Sequence, residues 1–226
     1  MFVIAIDGPS GSGKSTIAKE IAKKFNFTYI NTGSMYRAIT LFLIEQNLLL
    51  PLKEGKIELQ YILPSIDIEL KEDFVYLNKE DVSQKIRSPE VTKEVSFVSS
   101  IPIVRKFLVQ KQREMAAKTN AILEGRDIGT NVFPDAKLKI FLTAQSEQRA
   151  LRRWIQEGKI TDLQTVQSDL EKRDEYDSKR VENPLVKAQD AIEIDTTCLT
   201  IEEVVEQISR LIYIRFGDTL NNISLN

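Results

Sequence analysis

The 226-residue sequence has no histidine and a single cysteine, Cys198. Without histidine there is no serine–histidine triad, no imidazole general base and no histidine-rich metal site. One cysteine leaves no intrachain disulfide framework and no cysteine-based zinc cluster. An excess of charge of one sign is missing too. Lys and Arg total 31 against 33 Asp and Glu, a net charge of −2, which argues against a protein that works mainly by coating nucleic acid or anionic lipid. No apolar run approaches the ~20 residues of a membrane span. The apolar opening, Phe2–Ile6, is too short for a signal peptide and lacks the basic leader. The expectation is a soluble, cytoplasmic chain. Its 42% hydrophobic content can build a core, and the 28% of charged residues can coat it; the length suits one or two domains.

Phe2–Ile6 reads as a strand buried on both faces. After a glycine-rich stretch, Ile17, Ile21, Ala22 and Phe25 form a helical stripe over Lys14–Phe25. Thr28–Ile30 is a second strand, so the opening is a right-handed strand–helix–strand unit with parallel strands. A helix is expected over Met35–Gln46. Ile66–Leu70 alternates with period two and Phe74–Leu77 follows a charged turn. Together they suggest an antiparallel insert over 60–86 that is wet on one side. Pro89 and Pro102 each suit the first position of a helix. The α/β rhythm then resumes, with strands at Ala121–Leu123, Leu138–Leu142 and Ala191–Ile194 and helices near 147–157, 162–180 and 201–215. Thr161 with Gln164 and Thr200 with Glu203 have capping-box spacing. The last eleven residues, 216–226, read as a polar, frayed tail.

Gly8-Pro9-Ser10-Gly11-Ser12-Gly13-Lys14-Ser15 fits G-x-x-x-x-G-K-[ST], the phosphate-binding loop. Its glycines let successive backbone N–H groups turn inward around a phosphate, and the next helix points its positive end at it. Lys14 reaches the β- and γ-phosphates, and the Ser15 hydroxyl is a Mg²⁺ ligand. The apolar strand before the loop and the amphipathic helix after it are the context this motif requires. An NTP site follows.

Eight of the twelve arginines lie between residues 105 and 180, and arginine is the residue for bidentate contact with phosphate. On a helix over Thr161–Arg180, Leu163, Val166 and Leu170 share one side, and Arg173, Asp177 and Arg180 continue it. An inward stripe that turns from apolar to charged points to a polar cleft that receives an anion. Arg149, Arg152 and Arg153 share a face near a helix start. Either they splay into water or they close over phosphates as a lid.

Five segments, in this order, resemble the bacterial cytidylate kinase family. They are Asp7 with Gly8–Thr16, Asn31-Thr32-Gly33-Ser34-Met35-Tyr36-Arg37, Gly125–Thr130, Phe133–Ala136, and Arg173-Asp174-x-x-Asp177-x-x-Arg180. The resemblance implies an α/β P-loop NTPase fold: a five-stranded parallel sheet flanked by helices, a small NMP-binding insert and a helical lid. The core would be 1–59 and 87–215, the insert 60–86 and the lid about 146–162. It implies ATP as donor, held by Gly8, Pro9, Ser10, Gly11, Ser12, Gly13, Lys14, Ser15 and Thr16, with Mg²⁺ on Ser15. Contacts to CMP or dCMP would come from Thr32, Tyr36, Arg37, Ser96, Arg105, Arg126, Asp127, Arg173, Asp177 and Arg180. Of these, Ser96, Arg173 and Asp177 would face the pentose, and Arg37, Arg126 and Arg180 the α-phosphate. Lys14, Arg126, Arg180, Arg152 and Arg153 would act on the transferring group. The implied enzyme is a monomer that uses neither nucleic acid nor membrane. Asn31 stands where the family commonly has Asp, and Asn131 replaces a usually apolar residue.

Two other readings compete. Asn78-Lys79-Glu80-Asp81 matches the N-K-x-D string with which small GTPases recognise guanine, but no Asp in the chain has Gly three positions later, so the D-x-x-G switch is absent. A charged hairpin turn explains the string. The other reading is a P-loop kinase for a different small acceptor, such as UMP or shikimate.

Overall fold

The computed structural model describes residues 1–221, with side chains through Gly217. They divide into two compact units, one of residues 1–29 and 116 onward, the other of residues 30–115.

The first unit is built on a parallel sheet. Strand β1 (Val3–Asp7) sits between β6 (Ala121–Gly125) and β7 (Leu138–Thr143), with β8 (Ile192–Asp195) beyond β7; β2 (Thr28–Asn31) completes the order β2-β6-β1-β7-β8. Ile4 and Ile6 are wholly buried, as an uninterrupted apolar run flanked on both sides requires. Helix α1 (Lys14–Phe25) lays Ile17, Ala18, Ile21 and Ala22 into the same core. So does α8 (Ile201–Asn221), through Val204, Ile208, Ile212 and Phe216. The capping box at its start is present: Glu203 N–H donates to Thr200 Oγ1 at 3.2 Å, and Thr200 N–H to Glu203 Oε2 at 2.8 Å. The helix runs on through the start of the segment read as a polar tail, because Phe216 is buried and stacks on Phe2 at 3.9 Å. Residues 222–226 lie outside the described residues.

Helices α6 (Ser146–Gln156) and α7 (Leu163–Lys179) pack together around Ala150, Val166 and Leu170. The expected box at Thr161 is not the cap of α7. Asp162 is, its carboxylate accepting from the Thr165 N–H at 2.9 Å. Leu163, expected on the inward stripe, therefore falls in the first turn and is exposed.

In the second unit, α2 (Thr32–Glu45), α3 (Leu49–Lys53), α4 (Pro89–Ser100) and α5 (Pro102–Ala116) surround a three-stranded antiparallel sheet. Its strands are β3 (Ile68–Lys71), β4 (Phe74–Leu77) and β5 (Glu80–Asp81). The hairpin of the 60–86 segment thus shares one core with helices on both sides of it in sequence, through Ile39, Ile68, Val75, Leu77, Val95 and Leu108. α2 starts three residues before the expected Met35 because the Asn31 side chain accepts from Ser34 N–H at 2.9 Å and caps it there. Pro89 and Pro102 do open their helices. The N-K-x-D string is a two-residue turn followed by β5: Asn78 and Lys79 join β4 to β5 and both have positive φ, as a twisted hairpin demands, while Glu80 and Asp81 are β5 itself. The string belongs to a hairpin.

Candidate active site

The chain leaves β1 at Asp7 and reaches α1 through the phosphate loop. Gly8 is obligatory, since a Cβ there would lie 2.0 Å from the Leu142 carbonyl oxygen. Lys14 is buried, and its Nζ donates to the Pro9 carbonyl at 2.6 Å. Burial, and next the Arg126 guanidinium nearby, push the Lys14 pKa down to about 7. Ser15 and Thr16 are exposed on the first turn. The Ser15 hydroxyl donates to Glu124 Oε2 at 2.9 Å, and the other oxygen of Glu124 accepts from the Tyr29 hydroxyl at 2.5 Å. Pairing of β1 with β6 puts Ile6 beside Glu124 and Asp7 beside Gly125, which is why the acid lands at the loop.

Asp7 is buried and fixes the next segment. Its carboxylate accepts from the N–H groups of Ile128 and Gly129 at 2.8 and 2.7 Å. Burial nonetheless pushes its carboxyl up to about 6, against the pull of those two donors. The wide turn Ile128–Val132 is held in this way directly after Arg126 and Asp127.

Arg126 reaches both the loop and α7. It donates to Ser10 Oγ at 2.7 Å and to Asp177 Oδ2 at 3.1 Å. Asp127 is held on one oxygen by Arg180 at 3.2 Å and on the other by the Asn131 amide at 3.0 Å. Asn131 therefore places a polar group on Asp127. α7 stops at Lys179, and Arg180 itself is extended, yet its side chain is buried against Asp127. Arg173 has a buried Nε with no hydrogen-bond partner among the described residues. Its desolvation, and then Arg126, pull its pKa down to about 10. The structure thus brings Lys14, Arg126, Asp127, Arg173, Asp177 and Arg180 together at the phosphate loop.

The three α6 arginines do not act as one group. Arg149 is buried and donates to the carbonyls of Ala144 and Ser10 and to the Asp174 carboxylate. Arg152 donates to Thr196 Oγ1 and O at 2.9 and 2.5 Å, and Arg153 pairs with Glu157 at 2.6 Å. In the second unit, Arg105 lies over the Tyr36 ring at 5.6 Å and donates to the Ser99 carbonyl at 3.0 Å. Arg37 donates to the Ile86 carbonyl and the Thr92 hydroxyl at 3.0 and 2.9 Å. Thr32 is buried, and Ser96 is partly buried on α4.

Sequence reasoning gave no role to Glu124, Asp174 or Thr196, whose hydroxyl donates to the Ser12 carbonyl at 3.2 Å. Asp174 stands within the resembling segment Arg173–Arg180, and Glu124 left a trace of its own: an acid closing the apolar run Ala121–Leu123 is costly to bury without a task.

A phosphate loop after the central strand of a parallel sheet, facing buried and half-buried arginines, defines a P-loop phosphotransferase acting on small phosphorylated molecules. The cytidylate kinase family model matches residues 4–213. A cytidylate kinase from Fusobacterium nucleatum is 53% identical over 214 residues, covering 93% of this chain and 97% of that one. Another from Halalkalibacterium halodurans is 50% identical over 212 residues, covering 91% and 94%. A solved structure of an uncharacterized protein from Eubacterium ventriosum shares the fold, with a TM-score of 0.52 at 16% identity over 94% of this chain and 98% of that one. The chain belongs to the cytidylate kinase family and is a nucleoside monophosphate kinase.

Proposed function

We propose that the chain transfers the γ-phosphoryl group of ATP to CMP and dCMP, giving CDP and dCDP. The observation that carries this reading is the convergence of Lys14, Arg126, Arg173 and Arg180 at the phosphate loop, where the buried Arg173 Nε has no hydrogen-bond partner among the described residues. Burial first, and Arg126 after it, lowers the proton affinity of both Lys14 and Arg173, and desolvated cations brought together in this way are stabilised by an anion. In the transfer, a CMP phosphate oxygen bonds to the γ-phosphorus while the β,γ-bridging bond breaks and its electron pair leaves on ADP. The nucleophile is ionised at neutral pH, so a chain without histidine lacks nothing. Its residues must instead offset the repulsion between two anions and align them.

Gly8 to Thr16 hold the ATP phosphates. Arg126, Asp127, Arg173, Asp177 and Arg180 serve the acceptor, as do Thr32, Tyr36, Arg37, Ser96 and Arg105 of the second unit. Ser15 and Glu124 supply hard oxygen donors of the kind Mg²⁺ prefers. No cluster of three or more metal-ligating side chains occurs among the described residues, so the remaining ligands would be phosphate and water. Bound there, Mg²⁺ would neutralise charge on the donor phosphates. Arg152 and Arg153 close toward the phosphates on nucleotide binding, exchanging Thr196 and Glu157 for them. The reading takes the chain as a cytoplasmic monomer acting on small nucleotides, and the near-neutral charge weighs against nucleic acid as a partner; no helix among the described residues is long and apolar enough to cross a membrane.

ADP release measured with ATP, Mg²⁺ and each of CMP, dCMP, UMP, AMP and GMP tests the assignment. Turnover of CMP and dCMP well above the purines is expected. Turnover of AMP or GMP with none of CMP or dCMP would overturn it.

A further inference from the structure

Ser10, at the tip of the phosphate loop, is held on every one of its polar groups by residues far away in the chain. Its N–H donates to Asp174 Oδ1 at 2.9 Å, its Oγ accepts from Arg126 at 2.7 Å, and its carbonyl accepts from Arg149 at 2.9 Å. The second oxygen of Asp174 takes the same Arg149 guanidinium. Arg126 in turn is bound by Asp177, one turn beyond Asp174 on α7. Two acids on one face of α7 therefore grip the loop, Asp174 directly and Asp177 through Arg126. α6 closes against the same point, since a Cβ on Gly11 would lie 2.9 Å from the Arg149 carbonyl oxygen.

A carboxylate on a phosphate-loop N–H is an odd choice for stability alone. It sets a negative charge beside the site that receives the donor phosphates, and the fold must offset it with a buried arginine. An ion pair on the outer face of α6 and α7 would join the helices at less electrostatic cost. What this placement does give is a fixed register between the loop and the residues flanking Asp174, which are Arg173 and Asp177. We propose that Asp174 is a positioning residue for phosphoryl transfer: it locks the tip of the phosphate loop to α7, so that donor phosphate and acceptor-binding side chains share one frame.

This rests on the phosphotransfer reading above and adds a role to it. Loss of the tie leaves ATP and CMP their own binding contacts but lets the two reactants drift, and misplacement of about 1 Å can cost on the order of 100-fold in rate. Water then competes as nucleophile, its proton passing to solvent, and ATP is split to ADP and inorganic phosphate.

The experiment measures CDP formed and inorganic phosphate released by the full-length wild type, Asp174→Ala, Asp174→Asn and Arg149→Lys, with thermal midpoints alongside. For Asp174→Ala, kcat for CDP is expected to fall roughly 10- to 100-fold while both KM values stay within about threefold. The ratio of phosphate to CDP should rise about tenfold. Asp174→Asn keeps an acceptor for the Ser10 N–H and should recover at least about threefold of the lost kcat. Unchanged kcat and unchanged ratio, or raised KM values with kcat intact, would overturn the role. If Asp174→Ala does not fold, Asp174→Asn and Arg149→Lys decide it by the same two readouts. A wild type that makes no CDP refutes the phosphotransfer reading instead, so the two failures are distinguishable.

Discussion

Lys14 is in an environment whose proton affinity depends on what is bound. In the free protein its pKa is about 7, because burial and Arg126 both disfavour the ammonium. Phosphate oxygens placed at its Nζ favour the ammonium and should lift the pKa back toward the usual 10.5. At pH 8 ATP binding should therefore take up about 0.9 proton, and at pH 6 about a tenth of that. Calorimetric titrations in buffers of different ionisation heat measure this directly. An observed enthalpy independent of buffer at pH 8 would contradict it, and Lys14→Met should abolish the uptake. The same shift has a signature in stability. Between pH 7 and 10.5 the unfolded chain holds a proton that the folded one lacks, so this residue's contribution to stability rises with pH across that window. Replacing a desolvated cation with methionine should for that reason leave the thermal midpoint unchanged or raised while transfer is lost. A fall in midpoint would make Lys14 structural.

At the scale of elements, the helix starts show what local pattern decides. Thr200 and Glu203 cap α8 reciprocally, whereas the same spacing at Thr161 and Gln164 is passed over. Asp162 sits one position later, and its carboxylate is the better acceptor for an orphan N–H. Asp162→Ala should accordingly lower stability measurably, and Thr161→Ala should leave it nearly unchanged. Denaturant midpoints of the two variants separate them; equal losses would mean that both residues cap. The Asp162 carboxyl already lies below its ordinary range because Thr165 donates to it through both hydroxyl and N–H. That residue is exposed, so its effect is local. Most element types were legible because a buried strand and an amphipathic helix each impose a period on the sequence. Boundaries were less so. They turn on single side chains such as Asn31, whose choice between capping and facing solvent depends on where the backbone N–H groups point.

At the scale of the molecule, what stayed hidden is what is built by distant contacts. The phosphate loop and the acid–arginine face of α7 could be read from spacing, since both lie within one continuous stretch. The grip of Asp174 on Ser10 joins residues 164 positions apart, and although Asp174 stands in the segment that resembles the family, nothing in its spacing names Ser10 as its partner. The end of the chain was misjudged for the same reason. Gly217, Asp218 and the polar residues after them read as a tail, but Phe216 belongs to a cluster that only the fold assembles. It stacks on Phe2 at 3.9 Å, and Phe2 meets Phe27 edge-on at 5.3 Å. The residue that leads into β1, the residue that leads into β2 and the last helix of the first unit are thus joined through three rings. Deleting a buried phenylalanine ring costs roughly 3–5 kcal/mol from lost transfer energy and the cavity left behind. For a chain of this size that is a fall of roughly 6–20 °C in the thermal midpoint of Phe216→Ala. Ile214, two residues earlier on the same helix, is 79% exposed, and Ile214→Ala should move the midpoint by no more than about 2 °C. Because neither residue touches the phosphate loop, both variants should keep wild-type kcat and KM below their midpoints. Equal midpoints for the two would show that the helix end contributes nothing to the core, and a loss of kcat in folded Phe216→Ala would show that the ring cluster supports the site as well as the fold.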